Sequence, residues 1–288
     1  MGHQLQGRVA LVTGATNGIG QVTARELARM GARTLIVARD PSRGQATARE
    51  IRDRAGADVE VLVADLSSRE QVRRVAAEVR GRTARLDLLV NNAGAIFPER
   101  RVSEDGVEMT FALNHLAYFL LTLELIPLLE GGPDSRVVNV SSTAHTVGTI
   151  DFDDLQGERR YGMWKAYGQS KLANLLFTRE LSRRLQGRGI ATNALHPGAI
   201  ASGFGRSHDG FFARLVALGA PFLASPEKGA RTPLHLATSP ELRGVTGKYF
   251  VSRREKRPSR AALDDAAALR LWQISEAMTQ PATRLPPP

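Results

Sequence analysis

The chain has 288 residues, 42% of them hydrophobic and 24% charged, which is typical of a globular protein with a substantial core. It has no cysteine, which excludes disulfides, thiolate catalysis and cysteine-based zinc sites. The net charge of +10 invites a nucleic-acid hypothesis, but the basic residues are scattered, and the one dense run, 253–257, has no interleaved aromatic residues. We therefore expect no nucleic-acid partner.

Several features of the chain argue against a membrane or secretory protein. The longest apolar stretch, 116–129, contains Glu124 and Pro127 and is too short to span a bilayer. The N-terminus carries no signal-peptide apolar region. Gln6 stands where a myristoylation motif requires serine or threonine. We expect a soluble, cytoplasmic protein with no membrane partner.

Apolar runs of strand length alternate with helical patterns along almost the whole chain. Predicted strands cover 9–13, 34–37, 59–63, 86–90, 136–140, 190–195 and 248–251, and predicted helices cover 18–30, 42–55, 68–80, 103–129, 165–186 and 226–238. The strands are continuously apolar, as expected when helices cover both faces of a sheet. The pattern predicts an α/β fold, a Rossmann-type doubly wound parallel sheet of about seven strands. No linker divides residues 1–288, so we expect a single domain.

Unusual polar and glycine residues follow six of these strands. They are Gly14, Arg39, Asp65, the Asn-Asn-Ala-Gly run at 91–94, the serine pair at 141–142 and His-Pro-Gly at 196–198. Ligands of doubly wound sheets bind at the carboxyl ends of the strands. Any one of these residues could serve only as a turn residue, but six such strand ends together predict a binding site.

A glycine-rich loop and a tyrosine–lysine pair carry the chemistry of that site. The loop, Thr-Gly-Ala-Thr-Asn-Gly-Ile-Gly at 13–20, leads into a helix, whose free N–H groups and positive dipole end suit a pyrophosphate. Tyr167 and Lys171 are four residues apart and so lie on one helix face. An ammonium beside a phenol favours the phenolate, so we expect Lys171 to lower the pKa of Tyr167. Together the two motifs predict proton transfer beside a bound dinucleotide.

In this order, the motifs resemble the short-chain dehydrogenase/reductase family over roughly residues 5–278. The matching pieces are Thr-Gly-x-x-x-Gly-x-Gly at 13–20, Asp65, the run at 91–94, Asn114, Ser142, the Tyr167/Lys171 pair and Pro197-Gly198. Within the family the chain is similar to the retinol-dehydrogenase-like branch, on the stretches 136–145, 170–181 and 196–198.

The resemblance implies roles for individual residues. Ser142 would polarise a substrate carbonyl, Tyr167 would exchange the proton at the substrate oxygen, and Lys171 would stabilise the phenolate and bind the nicotinamide ribose. Asn114 would hold a water that links Lys171 to solvent. The cofactor would contact Gly14, Thr16, Asn17, Gly18, Ile19, Gly20, Arg39, Asp65, Leu66, Asn92, Ala93, Gly94, Tyr167, Lys171, Pro197, Ile200 and Ser202.

Some alternatives compete for these roles. Ser141 adjoins Ser142, and Tyr161 lies near Tyr167, but Ser142 is the family match and only Tyr167 has a lysine four residues later. His145 and His196 have no visible acid partner, and we expect His196 to orient the Pro-Gly turn. Acidic residues at 151–154 lack histidine and regular ligand spacing, so we expect a polar loop and no metal.

The residues after the second strand bear on the choice of cofactor. Ala38 stands where an NAD-selective site carries a carboxylate, and Arg39 follows, whose guanidinium suits a 2′-phosphate. We therefore favour NADP(H). Asp40 and Asn17 temper this preference, because a carboxylate follows at once and a second basic residue is missing at 17, so use of NAD(H) stays open.

These observations predict an NADP(H)-dependent oxidoreductase that interconverts a carbonyl and an alcohol. Apolar residues in 203–225, expected to form a lid, and aromatic residues before the catalytic helix suggest a lipophilic small-molecule substrate, although packing explains them equally well. A helical tail is expected at 260–288. The family resemblance implies a homodimer or homotetramer. The competing function is a non-catalytic NADP(H)-sensing protein on the same scaffold.

Overall fold

The computed structural model describes residues 4–198 and 225–288. Its centre is a sheet with the strand order β3-β2-β1-β4-β5-β6-β7-β8. The strands are β1 Val9–Thr13, β2 Arg33–Ala38, β3 Val59–Val63, β4 Leu88–Asn91, β5 Ser135–Val140, β6 Ile190–His196, β7 Tyr249–Val251 and β8 Arg254–Glu255. β1 to β7 are parallel, which confirms the seven predicted strands and the doubly wound class.

The eighth strand is the one that the sequence pattern did not predict. It is two residues long and pairs antiparallel with β7. Ser252 and Arg253 make the reversal with φ of 49° and 66°, in a region that glycine, not serine or arginine, usually occupies. A tight turn without glycine or asparagine has no signature in sequence, so the strand was missed.

Helices cover both faces of the sheet. They are α1 Gly18–Arg29, α2 Pro41–Ala55, α3 Arg69–Arg82, α4 Met109–Phe111, α5 Ala117–Leu129, α6 Met163–Arg184, α7 Pro226–Thr238 and α8 Asp265–Thr279. One core layer joins the sheet to α3, α5, α6 and Trp272 of α8. The other joins it to α1, to Ile51 of α2 and to Leu236 of α7. The apolar strands follow from this double cover, because the central strands β1, β4 and β5 bury both of their faces.

The helix predicted at 103–129 begins later and is irregular. Residues 102–108 form a loop closed by a bridge between Val102 and Glu108. Glu108 then caps α4 by accepting hydrogen bonds from the N–H groups of Thr110 and Phe111, both at 2.8 Å. A π turn, Ala112–Leu116, separates α4 from α5. Buried Glu108 acts as the cap that sets the start of the helix.

The stretch Met109–Leu129 is long and apolar enough to cross a membrane by length and composition alone. Within the protein, however, 89% of its apolar window is buried against the sheet and neighbouring helices. Its all-round apolar surface is therefore that of a core helix, which meets protein on every side.

The last two predicted features are the lid at 203–225 and the helical tail at 260–288. Residues 203–224 of the expected lid, and the expected cofactor contacts Ile200 and Ser202, lie outside the described residues. The expected tail contains α8, after which the chain continues to Leu285, whose side chain is buried in the core.

Candidate active site

A cavity of about 580 Å³ opens at the carboxyl ends of β1 to β6. It spans the point between β1 and β4 where the strand order reverses, which is where doubly wound sheets bind ligands. The predicted residues that line it are Gly14, Thr16, Asn17, Ile19, Gly20, Arg39, Asp65, Leu66, Asn92, Ala93, Gly94, Ser142, Tyr167, Lys171 and Pro197. Gly18 and the fully buried Asn114 are described but are not part of the lining.

The glycine turn forms one wall. Gly14 has a φ of 62°, and a Cβ there would lie 2.6 Å from Ala93 Cα. A Cβ on Gly20 would lie 2.3 Å from the carbonyl oxygen of Gly14. The Asn92 side chain donates to the carbonyls of Thr13 and Gly14 at 2.9 and 3.0 Å and so ties the β4 loop to this turn. Only glycine fits at these two positions.

The N-terminus of α1 faces this wall. Asn17 precedes the helix without a side-chain capping hydrogen bond, whereas Asp40 caps α2 and Ser68 caps α3. Among the residues that the structure describes, no side chain accepts from the first N–H groups of α1, which lie beside the glycine turn. This donor set suits a pyrophosphate, so the residues present fit a dinucleotide.

The far end of the cavity lies beyond β2 and β3. One carboxylate oxygen of Asp65 accepts hydrogen bonds from the N–H and the hydroxyl of Ser67, at 2.9 and 2.7 Å. Asp40 accepts a hydrogen bond from the N–H of Arg43 at 2.8 Å as the cap of α2. The guanidinium groups of Arg39 and Arg43 also line this end. Sequence reasoning found Arg39 but missed Arg43, which α2 brings to the same wall.

Ser142, Tyr167 and Lys171 converge at the other end. Ser142 follows β5, and its side chain lies near enough to the Tyr167 phenol to lower the pKa of that group. Tyr167 and Lys171 lie on one face of α6, with the Lys171 Nζ 5.6 Å from the centre of the Tyr167 ring. Lys171 donates to the carbonyl oxygen of Val140 at 3.2 Å and lies 5.9 Å from the Tyr118 ring. The ammonium therefore sits among rings and a backbone carbonyl.

The pKa of Tyr167 moves opposite to the sequence prediction. Burial raises the pKa of the Tyr167 phenol to about 12, and the nearby Ser142 side chain lowers that pKa by less than burial raises it. Burial also lowers the pKa of Lys171 to about 8. The prediction of an acidified phenol was wrong for the protein alone, because desolvation is the largest influence on the pKa of each group.

Asn114 lies behind the pair, in the π turn. Its Oδ1 accepts from the N–H of Ala95 at 2.8 Å, and its Nδ2 donates to the Ala95 carbonyl at 2.9 Å and to Ser170 Oγ at 3.0 Å. A Cβ on Gly94 would come within 3.2 Å of Asn114 Oδ1 and 3.5 Å of Lys171 Nζ. Gly94 thus leaves room between these two side chains. The water predicted at Asn114 stays a prediction.

The alternatives considered above have other partners. Ser141 donates to the Lys171 carbonyl at 2.7 Å, and Tyr161 donates to the Phe97 carbonyl at 2.8 Å. His145 Nδ1 lies 2.6 Å from the Ser142 carbonyl oxygen, and His196 Nδ1 accepts from the N–H of Thr143 at 3.3 Å. Both histidines therefore hold the backbone around Ser142. That His196 orients the Pro-Gly turn stays a prediction.

The acidic loop at 151–154 is built from internal contacts. Asp151 pairs with Lys165 at 2.8 Å, and Asp154 accepts hydrogen bonds from the N–H groups of residues 158–160. Within 4–198 and 225–288, histidine, aspartate and glutamate form no group of three suited to a metal ion.

Sequence reasoning missed several lining residues besides Arg43. They include Val37, Ala64, Ala95, Leu113, Val140 and Thr143. Trp164 was noted only as an aromatic residue before the catalytic helix. It lines the cavity, is 61% exposed and packs edge-on to Tyr167 with ring centres 6.4 Å apart. Most of these residues are apolar or small, and such residues carry no signal in sequence that separates lining from core.

Comparison with known proteins agrees with this geometry. The family model of the short chain dehydrogenases matches residues 8–209. Retinol dehydrogenase 12 of Mus musculus is 44% identical over 273 residues, covering 94% of this chain and 86% of the relative. Retinol dehydrogenase 13 of Homo sapiens is 43% identical over 279 residues, covering 94% and 84%.

Solved structures give the same result. An uncharacterized protein from Mycobacterium Paratuberculosis matches with a TM-score of 0.79 and 36% identity, over 98% of this chain and 96% of that one. The NADP complex of RhlG from Pseudomonas aeruginosa matches with a TM-score of 0.69 and 32% identity, over 86% and 95%. The chain therefore belongs to the short-chain dehydrogenase family, is similar within it to the retinol dehydrogenases, and is an oxidoreductase that acts on CH–OH groups with NAD(P).

Proposed function

We propose that the protein is an NADP(H)-dependent oxidoreductase that interconverts a lipophilic carbonyl compound and its alcohol, with Tyr167 as general acid and base. The observation that carries this proposal is the meeting of Ser142, Tyr167 and Lys171 at one end of a cavity whose other end has the donors for a dinucleotide. The family and its fold give the reaction class, and these side chains give the proton path.

The cavity walls would hold the cofactor along its length. The α1 N-terminus and the glycine turn would bind the pyrophosphate, and Asp65 the adenine, whereas Lys171 would bind the ribose next to the nicotinamide. The cofactor supplies or accepts the hydride when bound. Every other step falls to the protein, which must orient the substrate oxygen and move one proton.

The raised pKa of Tyr167 suits a proton donor. Because burial raises the pKa to about 12, the phenol is protonated at neutral pH and can donate to the substrate oxygen as negative charge develops there. The Ser142 hydroxyl, which lies beside Tyr167, would donate to the same oxygen and polarise the carbonyl. Lys171 carries the nearby positive charge that would stabilise the phenolate once the proton has left.

Tyr167→Phe tests this function. We expect loss of NADPH oxidation, by about 10²-fold or more, against a panel of quinones and aldehydes of increasing chain length, with NADPH binding retained. The aldehydes should improve as substrates with length if the site is lipophilic. Binding of NADPH without turnover in the wild-type protein would instead favour the NADP(H)-sensing alternative.

Two guanidinium groups support the choice of NADP(H). Arg39 and Arg43 both line the cavity end beyond β2, and both side chains are exposed. Asp40 is held as the cap of α2, so its carboxylate is engaged with the Arg43 backbone. A 2′-phosphate would meet two cations here, which offsets the absence of a basic residue at Asn17.

Affinity for the two cofactors separates this from an NAD(H) site. Arg39→Ala and Arg43→Ala should each weaken NADPH binding by about tenfold and leave NADH binding within about twofold. Arg49→Ala removes the same charge from α2 at an exposed position outside the cavity lining and serves as the matched control. Equal losses for NADPH and NADH would contradict the proposed selectivity.

Apolar side chains support a lipophilic substrate. Leu113 and Trp164 line the cavity, and the Trp164 ring, 61% exposed, packs edge-on to Tyr167. Exposed aromatic area at the mouth of a site favours apolar ligands. If this is right, Trp164→Ala should raise the KM for long aldehydes more than for short ones, and a uniform effect would contradict it.

We also propose that the protein acts in the cytoplasm without a membrane-bound segment. The apolar stretch Met109–Leu129 supports this, because most of it is already buried by the fold. Fractionation of expressing cells provides the test, and recovery of the protein with the membranes after a salt wash would contradict this location.

A further inference from the structure

The π turn carries a second polar residue, next to Asn114. His115 is 1% exposed, and its Nε2 lies 2.9 Å from Ser275 Oγ in α8. Its Nδ1 lies 3.4 Å from Asn174 Oδ1 in α6. Burial lowers the pKa of His115 to about 4, so the ring is neutral at physiological pH and carries one N–H. Three aromatic rings surround it, those of Phe111, Phe119 and Phe177.

The carbonyl of Val140 sets the direction of these hydrogen bonds. It accepts from Lys171 Nζ at 3.2 Å and from Asn174 Nδ2 at 3.5 Å. A carbonyl has no proton, so Asn174 must turn its NH₂ toward Val140 and its oxygen toward His115. His115 then carries its proton on Nδ1 and accepts on Nε2 from the Ser275 hydroxyl. The hydrogen bonds therefore form one chain, in which Ser275 donates to His115, His115 donates to Asn174, and Asn174 donates to the Val140 carbonyl.

We propose that His115 is a positioning residue for Lys171. Its hydrogen bond to the Asn174 oxygen keeps the NH₂ of that amide turned toward the Val140 carbonyl, the same carbonyl to which the Lys171 ammonium donates. Lys171 and Asn174 are three residues apart on one face of α6. A reversed amide would present an oxygen to the ammonium and draw it away from Tyr167. The inference rests on the proposed function in that it assigns Lys171 to the chemistry.

The surroundings of Lys171 make this orientation matter. The titratable groups that face it are Tyr167 from its own helix and Tyr118 from α5. Lys171 also donates a hydrogen bond to the Val140 carbonyl of β5. Because no carboxylate in 4–198 or 225–288 contributes to the pKa of Lys171, a single added acceptor would change its protonation measurably.

His115→Phe tests the proposal in the cofactor-free protein. The variant keeps an aromatic ring in the cluster but loses the N–H that holds Asn174. The amide should then reverse, and the midpoint of Lys171 titration should rise by about one pH unit. The measurement is the pH dependence of ¹³C-labelled lysine signals by NMR. The chain has five lysines, and Lys171→Met identifies the signal that belongs to Lys171.

Matched variants separate orientation from packing. Trp272→Phe alters the same aromatic cluster, and the Trp272 Nε1 has no partner in the described part, so no hydrogen bond is lost and the Lys171 titration should stay unchanged. Asn174→Asp places a carboxylate oxygen toward His115 and another toward the Val140 carbonyl. It should raise the midpoint of the Lys171 titration by more than His115→Phe does. Ser275→Ala should give a smaller upward shift, and it replaces His115→Phe if that variant does not fold.

An unchanged Lys171 titration in folded His115→Phe, or in Ser275→Ala if the former does not fold, overturns the proposal. The pH dependence of turnover should move with the lysine titration. A shifted titration with unchanged turnover would support the positioning role while contradicting the catalytic role of Lys171. The two proposals therefore fail separately.

Discussion

Burial governs the chemistry of the individual side chains in this site. Tyr167 and Lys171 would attract each other in their charged forms, yet burial makes each of them favour its neutral form. Lys171 is 3% exposed, and it donates a hydrogen bond to a backbone carbonyl, not to a carboxylate. Placing an amine there lowers the stability of the protein, which is common where a side chain is held for chemistry.

The pKa of Lys171 predicts how stability depends on pH. Its folded value of about 8 lies below the ordinary 10.5. Between these pH values the unfolded chain holds a proton that the folded protein lacks, so stability rises with pH through this window. Below about pH 8 the folded state must hold the buried charge, at a cost of about 3 kcal/mol.

Lys171→Met should therefore stabilise the protein at pH 7 while removing activity. We expect a gain of about 2 kcal/mol in the free energy of unfolding, since the lost hydrogen bond to Val140 offsets part of the relief. The gain should shrink as the pH rises from 8 to 10.5. Urea unfolding at several pH values measures it, with Lys165→Met, at a half-exposed position on the same helix, as the control. A variant less stable than the wild type at pH 7 would contradict the prediction.

The same residues show how far sequence carries the site. The spacing of Tyr167 and Lys171 predicted that the two share a helix face, and the family resemblance added Ser142, which lines the same cavity. The direction of the Tyr167 pKa was not predictable, because the burial that decides it comes from segments distant in sequence. Arg43 was missed for a similar reason, since only the path of α2 brings it beside Arg39.

Among the secondary-structure elements too, local sequence predicted some features, whereas others depend on contacts with distant segments. Apolar runs placed β1 and β3 at the predicted residues, and α1 ended within one residue of its prediction. The π turn at Ala112–Leu116 and the late start at Met109 have no local signal in an apolar stretch. The π turn depends on contacts of Asn114 with Ala95 and of His115 with Ser275, which only the folded chain supplies.

The glycine turn gives a prediction for one element. Gly20→Ala would place a Cβ 2.3 Å from the Gly14 carbonyl and 2.4 Å from Asn92 Nδ2, so the turn must move. We expect cofactor affinity to fall by at least tenfold and stability to fall by about 2 kcal/mol, measured by NADPH titration and thermal unfolding.

Gly81→Ala is the matched control for this change. A Cβ at Gly81, in α3, meets nothing within 4 Å. Because alanine is the better helix former, stability should rise by about 0.5–1 kcal/mol with unchanged cofactor affinity. A Gly20→Ala protein with wild-type affinity would show that the turn can relax without consequence for the site.

At the scale of the whole molecule, the C-terminal segment closes one helical layer. Arg184 donates to the Leu285 carbonyl at 2.8 Å, pairs with Glu180 at 2.7 Å and lies over the Trp272 ring at 4.4 Å. Glu124 accepts from the N–H of Ala282 at 2.8 Å. The end of the chain thus covers buried charges on α5 and α6, the two helices that position Asn114 and Tyr167.

Leu285 is the apolar anchor of this segment, 4% exposed within the core layer of α3, α5 and α6. Leu285→Ala should lower the free energy of unfolding by about 3 kcal/mol, because it leaves a cavity and loosens the cover over Glu180 and Arg184. Urea unfolding measures the loss, and Pro287→Ala, at an exposed position two residues later, should change it by less than about 0.5 kcal/mol. A loss for Leu285→Ala as small as that of the control would mean that backbone hydrogen bonds alone hold the segment, and that the core ends at α8.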